Sequence, residues 1–382
     1  MTLESEAHAA ADLLAKTLDR DGYRGWDPYD ALSSPLLRRV ARGRALRIAA
    51  VQTLKRCPVN LRPLLFVPRQ AHTKALALFA SAYALRAGEA DGDVGWYLPR
   101  ARRLAELLLE RSVEVDGGAG FGYDFDVQTR WGSYGRNEPN AVATAFVGHA
   151  LLDVAELGEG DRYREQVGRA VAFAGGTLAR TSGDDRYFAY YRGATRVIHN
   201  ASLLVAGLCL RAEPESDAGA VARAAVSYAV RSQREDGTWP YGEGQGLGWV
   251  DGFHTAYVLD VLGWWAGQSG DAAVRVAAER GLEAYVERLV DPDGGARATL
   301  QDRYPLDVHA AATGITTLSR LRILHPRADE TADRMLVWAL DQLRRRDGRL
   351  AFQRHRLYRN SVPYVRWSDG HMMLALAAYL NR

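Results

Sequence analysis

The chain has 382 residues, of which 47% are hydrophobic and 25% charged, with a formal net charge of +3. That is an ordinary globular composition, with length enough for a sizeable core. No basic tract interleaves with aromatics, no uncharged run approaches the roughly 18 residues of a membrane span, and the first thirty residues lack the apolar core of a signal peptide, so nucleic-acid binding, a membrane span and export are not expected and the chain reads as cytoplasmic.

In chain order, Ala9–Leu18 has helical apolar spacing and Asp21–Asp30 reads as a loop, while Pro58, Pro63 and Pro68 break the stretch up to Gln70 into turns. Residues 1–70 are therefore expected as a helical and loop-rich segment that closes the rest. Helical periodicity resumes at Lys74–Leu85 and then alternates. Leu98–Ser112 leads through a glycine-rich loop to Ala141–Leu152, Glu165–Ala179 to Ala201–Leu210, and Ala220–Gln233 to Thr255–Trp265. Ala273–Val290 leads to Ala310–Ile323, and Glu330–Arg345 to His371–Leu380. The second helix of each pair is small and apolar all round, whereas the first carries Arg and Glu on one face. A helix apolar on every side is buried. The spacing predicts a single all-α domain over 1–382, an (α/α) toroid of about six hairpins with the second helices inside. Val, Ile and Thr alternation is scarce, which argues against a sheet domain. Cys57 and Cys209 stand alone, without metal or disulfide spacing.

Each inner helix opens on a polar cap: Gln70-Ala-His72-Thr-Lys74, Arg136-Asn137-Glu-Pro-Asn140, His199-Asn200, Asp251-Gly-Phe-His254-Thr255, Asp307-Val-His309 and Arg366-Trp367-Ser-Asp369-Gly-His371. Five of the nine histidines fall there. Helix N-termini present free N–H groups and a positive dipole end, suited to an anionic ligand. Asn and Asp are also ordinary N-caps, so capping alone accounts equally well for any one of them. Histidine is not a favoured cap, and its recurrence points to a lined pocket.

The loops supply Tyr123, Trp131, Tyr134, Tyr187, Tyr190, Tyr191, Trp239, Tyr241, Trp249, Tyr304, Tyr358, Tyr364 and Trp367. Aromatic faces beside Asp, Asn, His and Arg suit sugars, which present both flat apolar faces and hydroxyls; such rings also pack a rim. Arg136, Arg192 and Arg366 stand near the caps and would hold a carboxylate or phosphate as bidentate partners; solvated loop arginine is the alternative. Asp251, Asp307 and Asp369, with Glu138 and Asp126 behind them, are the carboxylates available for acid–base work. On this basis His254 or His309 is the expected proton carrier, oriented by Asp251 or Asp307, with Arg366 and His371 completing the catalytic set. Asn137, Asn140, Tyr190, His199 and Asn200 would bind hydroxyls, and Trp239, Trp249 and Trp367 would stack. HxxxH and HExxH spacings are absent, and no metal or cofactor is expected.

Gln233-Arg-Glu-Asp-Gly237-Thr-Trp239 matches QxxxGxW, the repeat motif of the squalene cyclase and protein prenyltransferase superfamily, with weaker echoes at Asp116-Gly-Gly, Asp293-Gly-Gly and Asp347-Gly. The resemblance implies an α/α toroid. The superfamily's acidic DxDD cluster has no counterpart beyond Asp124-Phe-Asp126 in a loop, and its Asp/Cys/His zinc set cannot be assembled, which demotes a terpenoid cyclase or prenyltransferase-like activity to an alternative.

A second resemblance rests on Gly25-Trp-Asp-Pro-Tyr29-Asp30, Pro58-Val-Asn60-Leu-Arg62-Pro63 and Val362-Pro363-Tyr-Val-Arg366-Trp367-Ser368. These resemble signatures of toroid proteins of polysaccharide-biosynthesis loci. The last repeat is also similar to the C-terminal helical domain of D-glucuronyl C5-epimerases, which carries Pro-x-x-x-Arg-Trp followed by histidine. Here Pro363 sits closer to Arg366 and His371 is one place off. These likenesses imply an enzyme acting on an acidic glycan or activated sugar in polysaccharide metabolism, of uronate epimerase, lyase or glycoside hydrolase type. A non-catalytic glycan-binding toroid is the remaining alternative.

Overall fold

The structure is a computed structural model and describes residues 2–89, 92–130, 132–158 and 160–382; Trp131 lies outside the described residues. In chain order its helices are α1 (Leu3–Arg20), α2 (Pro35–Val40), α3 (Arg44–Arg56), α4 (Thr73–Gly88), α5 (Val94–Leu109), α6 (Ala141–Ala155) and α7 (Asp161–Phe173). Then follow α8 (His199–Ala212), α9 (Asp217–Arg231), α10 (Gly252–Ser269), α11 (Ala272–Arg288), α12 (Val308–Arg320), α13 (Ala328–Gln342) and α14 (His371–Leu380).

Helices α4, α6, α8, α10, α12 and α14 pack side by side in that order, and α14 returns to α4, so the inner ring closes. Behind them stand α5, α7, α9, α11, α13 and α1, with the first helix of the chain backing the last. This is the expected (α/α) toroid. Outer helices bury one stripe: α7 turns Tyr163, Gln166, Val167, Ala170 and Val171 inward and leaves Arg162, Arg164 and Glu165 in water. The inner helices are small on their facing sides because they approach closely. A Cβ on Gly148 of α6 would lie 2.5 Å from Leu208 of α8, and one on Gly263 of α10 would lie 2.5 Å from Leu321, just past the end of α12.

The QxxxGxW motif is a tie between repeats. Gln233 Nε2 donates to the carbonyls of Gly237 (3.0 Å) and Ala277 (2.9 Å), reaching from the end of α9 to α11. Gly237, at φ +80°, lies so close to α11 that a Cβ would stand 2.7 Å from the Arg280 carbonyl. Trp239, only 2% exposed, fills the gap and donates Nε1–H to Ala229 O at 2.8 Å. The echoes repeat the device: Gly118 abuts α7, Gly294 abuts α13, and Gly348 of the last loop abuts Leu13 of α1, which seals the ring.

Strands are confined to short antiparallel ladders in the long loops, the largest joining Leu306–Asp307, Gln353–Arg354 and Arg359–Asn360. The N-terminal segment is more structured than its prolines suggest. Around α2 and α3 it forms a small apolar cluster of Ala31, Leu32, Val51, Leu54 and Val67, separate from the main core. Among the described residues no helix is long and apolar enough to cross a membrane.

Candidate active site

The short connections lie at one end of the ring and the long loops at the other, so every inner-helix N-terminus reaches the loop end. Asp251 caps α10, accepting from the backbone N–H of His254 at 3.0 Å, and its other oxygen lies 2.7 Å from His254 Nδ1. Three residues on, and so on nearly the same helical face, stands Tyr257. Its hydroxyl meets His309 Nε2 of α12 at 2.6 Å, His371 Nε2 of α14 at 3.2 Å and Lys74 Nζ of α4 at 3.3 Å. Four inner helices thus aim one proton-carrying group each at a single point. The His309 and His371 rings stack at 3.8 Å; Phe253 lies over the other side of His309 at 4.4 Å and Trp367 meets it edge-on.

Water is excluded here, and burial governs ionisation. Desolvation drives His309 well below its ordinary pKa, helped by His371 and Lys74, and does the same to His371. Lys74 is pushed well below the usual ammonium range by burial and by the Arg366 charge, and Tyr257 is pushed up by burial. Burial therefore disfavours the charged form of every group in the network. A phenol donates one hydrogen bond and accepts two. Tyr257 donating to one imidazole while accepting from the other and from the amine uses all three hydrogen bonds of the phenol.

Several buried polar atoms near the inner-helix N-termini have no hydrogen-bond partner in the protein: His309 Nδ1, Asn200 Oδ1, His199 Nε2 and both ring nitrogens of His72, although Glu243 lies 3.6 Å from His199 Nε2 and Asp124 3.8 Å from His72 Nδ1. Leaving such a group unpaired costs about 1–3 kcal/mol, so these atoms are open to a further polar partner. Asn200, Tyr241, Asp251 and His254 enclose a pocket of ≈ 10 Å³, the size of one water molecule. Its wall is the stacked pair Tyr241–Trp249 (4.3 Å, 13°), with His254 against Tyr241 at 4.6 Å. Tyr123, Tyr134, Tyr190 and Tyr191 continue the aromatic wall.

The N-terminal segment roofs the site. Tyr29 packs on Trp367 at 5.6 Å, and Lys55 Nζ bonds Tyr29 Oη at 2.6 Å and lies 5.3 Å over the Trp367 ring. The anchor is ionic: Arg366 Nε and Nη2 donate to the two oxygens of Asp27 at 2.6 and 2.8 Å, with Asp27 fully buried. Beside it Arg62 bonds Asp30 at 2.7 Å, the Asp27 carbonyl at 2.8 Å and Tyr364 Oη at 3.0 Å. The three separate sequence signatures are one buried network.

Several expected roles change accordingly. Arg366 does not face a ligand, because its fork is filled by Asp27. Asp369 belongs to the scaffold, bound to Arg349 at 2.8 Å and to the Leu350 N–H at 3.0 Å. Asp307 caps α12 through the His309 N–H at 2.8 Å and accepts from Gln353 at 2.6 Å and Trp367 at 3.3 Å, so it does not orient the His309 ring. Asn140 is a helix cap, its side-chain Oδ1 accepting from the Ala143 N–H at 3.0 Å. Trp239 is core, with only part of its ring at the pocket. Arg136 and Asn137 sit on an exposed turn, and exposed Arg192 pairs with Asp116 at the rim. His254, Asp251, His309, His371, Asn200, Tyr190, Trp249 and Trp367 are brought to the loop-end site, whereas His199 turns to Tyr228 of α9 at 6.0 Å, with Glu243 3.6 Å from its Nε2.

Tyr257, Lys74, Asp27 and Lys55 were not anticipated. A lysine in the first turn of an otherwise apolar helix, and a tyrosine three places after a capped histidine, were the available signals. Among the described residues no group of three or more His, Cys, Asp or Glu is placed to hold a metal ion.

No protein-family model and no curated protein sequence matches the chain. Solved structures match its fold. An unsaturated glucuronyl hydrolase from a Bacillus species, responsible for the degradation of glycosaminoglycan, is 15% identical with a TM-score of 0.63, covering 98% of this chain and 96% of its own. Cellobiose 2-epimerase from Bacillus thermoamylovorans is 9% identical with a TM-score of 0.62, covering 80% and 87%. Cellobiose 2-epimerase from Spirochaeta thermophila is 10% identical with a TM-score of 0.60, covering 81% and 86%. At such identities the likeness establishes the toroid fold that this chain shares with them.

Proposed function

We propose that the chain is a carbohydrate-active enzyme of polysaccharide metabolism that moves a proton at a ring carbon of an acidic glycan or activated sugar, as a uronate epimerase or lyase does. The observation that carries this is the Asp251–His254 pair beside the Tyr257–His309–His371–Lys74 cluster. Asp251 holds Nδ1–H of His254, which leaves Nε2 with its lone pair as a general base. Taking a proton from the carbon next to a carboxylate builds negative charge on that carboxylate. Lys55, with no carboxylate in ion-pairing range among the described residues, stands at the roof to meet it. The Tyr257 network supplies the returning proton: Tyr257 or His309 gives one up, the deficit passes along the hydrogen bonds opposite the protonated His254, and exchange with solvent resets both before the next turnover.

Glycoside hydrolysis needs two free carboxyl groups about 5–9.5 Å apart. Asp27, Asp251, Asp307 and Asp369 are each engaged by Arg366, His254, Gln353 and Arg349. That occupancy favours proton transfer over hydrolysis. The fold likeness to epimerases and hydrolases of sugars adds support by analogy only.

The test is incubation with uronic-acid oligosaccharides in deuterated water, followed by mass spectrometry. Deuterium enters the sugar with the native protein, and His254→Gln and Tyr257→Phe lower that rate by about 10²–10⁴-fold. New reducing ends with neither deuterium at carbon nor an unsaturated uronate would replace this reading with hydrolysis, and binding without any of these would leave a glycan-binding protein.

A further inference from the structure

A cavity of ≈ 430 Å³ opens away from the axis, at the seam where the last loop meets the first helix. Its walls come from the end of α1, from the N-terminal segment between Trp26 and Arg69, and from the stretch after α13. The volume lies in the range of small-ligand sites, about 300–1,000 Å³.

Its charge is unbalanced. Arg20, Arg69, Arg345 and Arg349 line it against two carboxylates, Asp21 and Asp347. Asp21 alone is approached by Arg69 at 2.9 Å, Arg349 at 3.5 Å and Arg20 at 3.9 Å. One carboxylate cannot neutralise three guanidinium groups, and each carries five N–H donors. Arg349 finds a second partner inward, in Asp369, and Arg345 divides its fork between Asp347 at 3.3 Å and the Ser361 carbonyl at 2.6 Å. Arg20 and Arg69 have no further carboxylate among the described residues, and both remain accessible, at 73% and 42% side-chain exposure. A second anion is the natural complement of that surplus.

The rest of the wall selects which anion. Trp26 contributes an aromatic face, with the Arg69 guanidinium 5.6 Å from its centroid, so a planar apolar surface and an anion-binding fork stand side by side. Asn60 adds an amide, and Pro58 and Pro363 complete an apolar edge. Inorganic phosphate would use the arginines alone. A sugar acid presents a flat C–H face, hydroxyls and a carboxylate, and uses all three.

We propose that this seam cavity is a binding site for an anionic saccharide unit, its carboxylate on Arg20 and Arg69 and its ring face on Trp26. It is separate from the axial cluster and does not depend on the chemistry assigned there.

The experiment is calorimetric titration of the full chain with trigalacturonate, maltotriose and inorganic phosphate. The native protein and His254→Gln are expected to bind trigalacturonate at the seam with similar affinity, while Arg20→Glu and Arg69→Glu bind it about tenfold or more weakly. Both positions are exposed, so circular dichroism of the variants is expected to match the native protein. Unchanged affinity in both charge-reversal variants would overturn the site. So would loss of binding in His254→Gln, which would move the ligand to the axis. Phosphate binding as tightly as trigalacturonate, or maltotriose binding equally well, would overturn the saccharide-acid assignment. Failure of deuterium exchange at the axis, with these affinities intact, would sink the proposed reaction and leave the seam site standing.

Discussion

Arg366→Ala should detach the roof rather than merely silence a site. The pair it removes is fully buried: both Asp27 oxygens accept from Arg366, and Asp27 has no exposed surface. Removing one partner of such a pair leaves a charge unpaired in the interior, at a cost of about 3–5 kcal/mol. Unfolding entropy of roughly 2.1 cal/mol/K per residue gives about 0.8 kcal/mol/K for 382 residues, so a global loss of that size lowers the melting temperature by about 4–6 °C. The roof has its own small apolar cluster, so it should open before the ring melts. Hydrogen exchange is the assay that separates the two: amides of residues 27–67 should exchange faster in Arg366→Ala while those of α6 to α13 keep native rates. Burial alone would raise the Asp27 carboxyl, but Arg366 overrides it and holds it below 3.8. A depressed carboxylate contributes stability above its unfolded pKa and loses it as pH falls through the folded one. In the variant burial acts unopposed and raises that carboxyl, so the deficit should grow as pH rises above about 3.8 and vanish toward and below it. A melting point within about 1 °C of native, with unchanged exchange in 27–67, would refute the latch. So would additivity of Asp27→Ala and Arg366→Ala in a double-mutant cycle.

Acid should weaken the fold early. Burial holds His72, His199, His309 and His371 below 6.5 and His149 at about 3. The unfolded chain takes up protons that the native one refuses, so stability falls as pH drops below about 6.5, by up to about 1.4 kcal/mol per pH unit for each such group. Urea midpoints that stay flat from pH 7 to 5 would contradict this. Gly237→Ala combines a positive φ with a Cβ 2.7 Å from the Arg280 carbonyl, and should cost about 1–3 kcal/mol in chemical denaturation without touching the histidine cluster. A native midpoint for that variant would show that the tie between α9 and α11 is loose. The link between α2 and α3, where Arg42 and Gly43 are exposed, should be the first site cut by trypsin, at Arg42, and a ligand of the axial site should slow that cut; first cleavage inside the ring would count against a mobile roof.

Much of the fold was legible because it rests on local rules. Apolar spacing separated inner from outer helices, and Asp251 could be paired with His254 because an N-cap and the residue three places on are neighbours whatever the rest of the chain does. The helix ends moved by a few residues and the loops gained short ladders, as local patterns allow. What could not be read were the long-range partners. Asp27 and Arg366 lie 339 residues apart, and only closure of the ring brings them together. Lys74 showed only as the last residue of a cap and Tyr257 lay inside a helix that mostly reads as core, so neither stood out as a site residue. Trp239 shows the converse: an aromatic in a loop motif whose indole N–H is spent on a backbone carbonyl.

The displaced arginines share one cause. The chain carries 49 basic and 46 acidic side chains, so an arginine near a cap finds a carboxylate of the protein before it finds one of a ligand. Arg366 meets Asp27, Arg349 meets Asp369 and Arg192 meets Asp116. What remains unspent on the axis is what a dry interior tolerates: imidazoles, a phenol and an amine, each stable without charge. A carboxylate pair there would have required compensating cations, whereas neutral groups hydrogen-bonded in series need none. The same dehydration that disfavours the charged forms of Lys74, His309 and His371 suits them to pass protons rather than hold charge. Substrate recognition by charge is then left to groups at the roof and the seam, where water still reaches Lys55, Arg20 and Arg69.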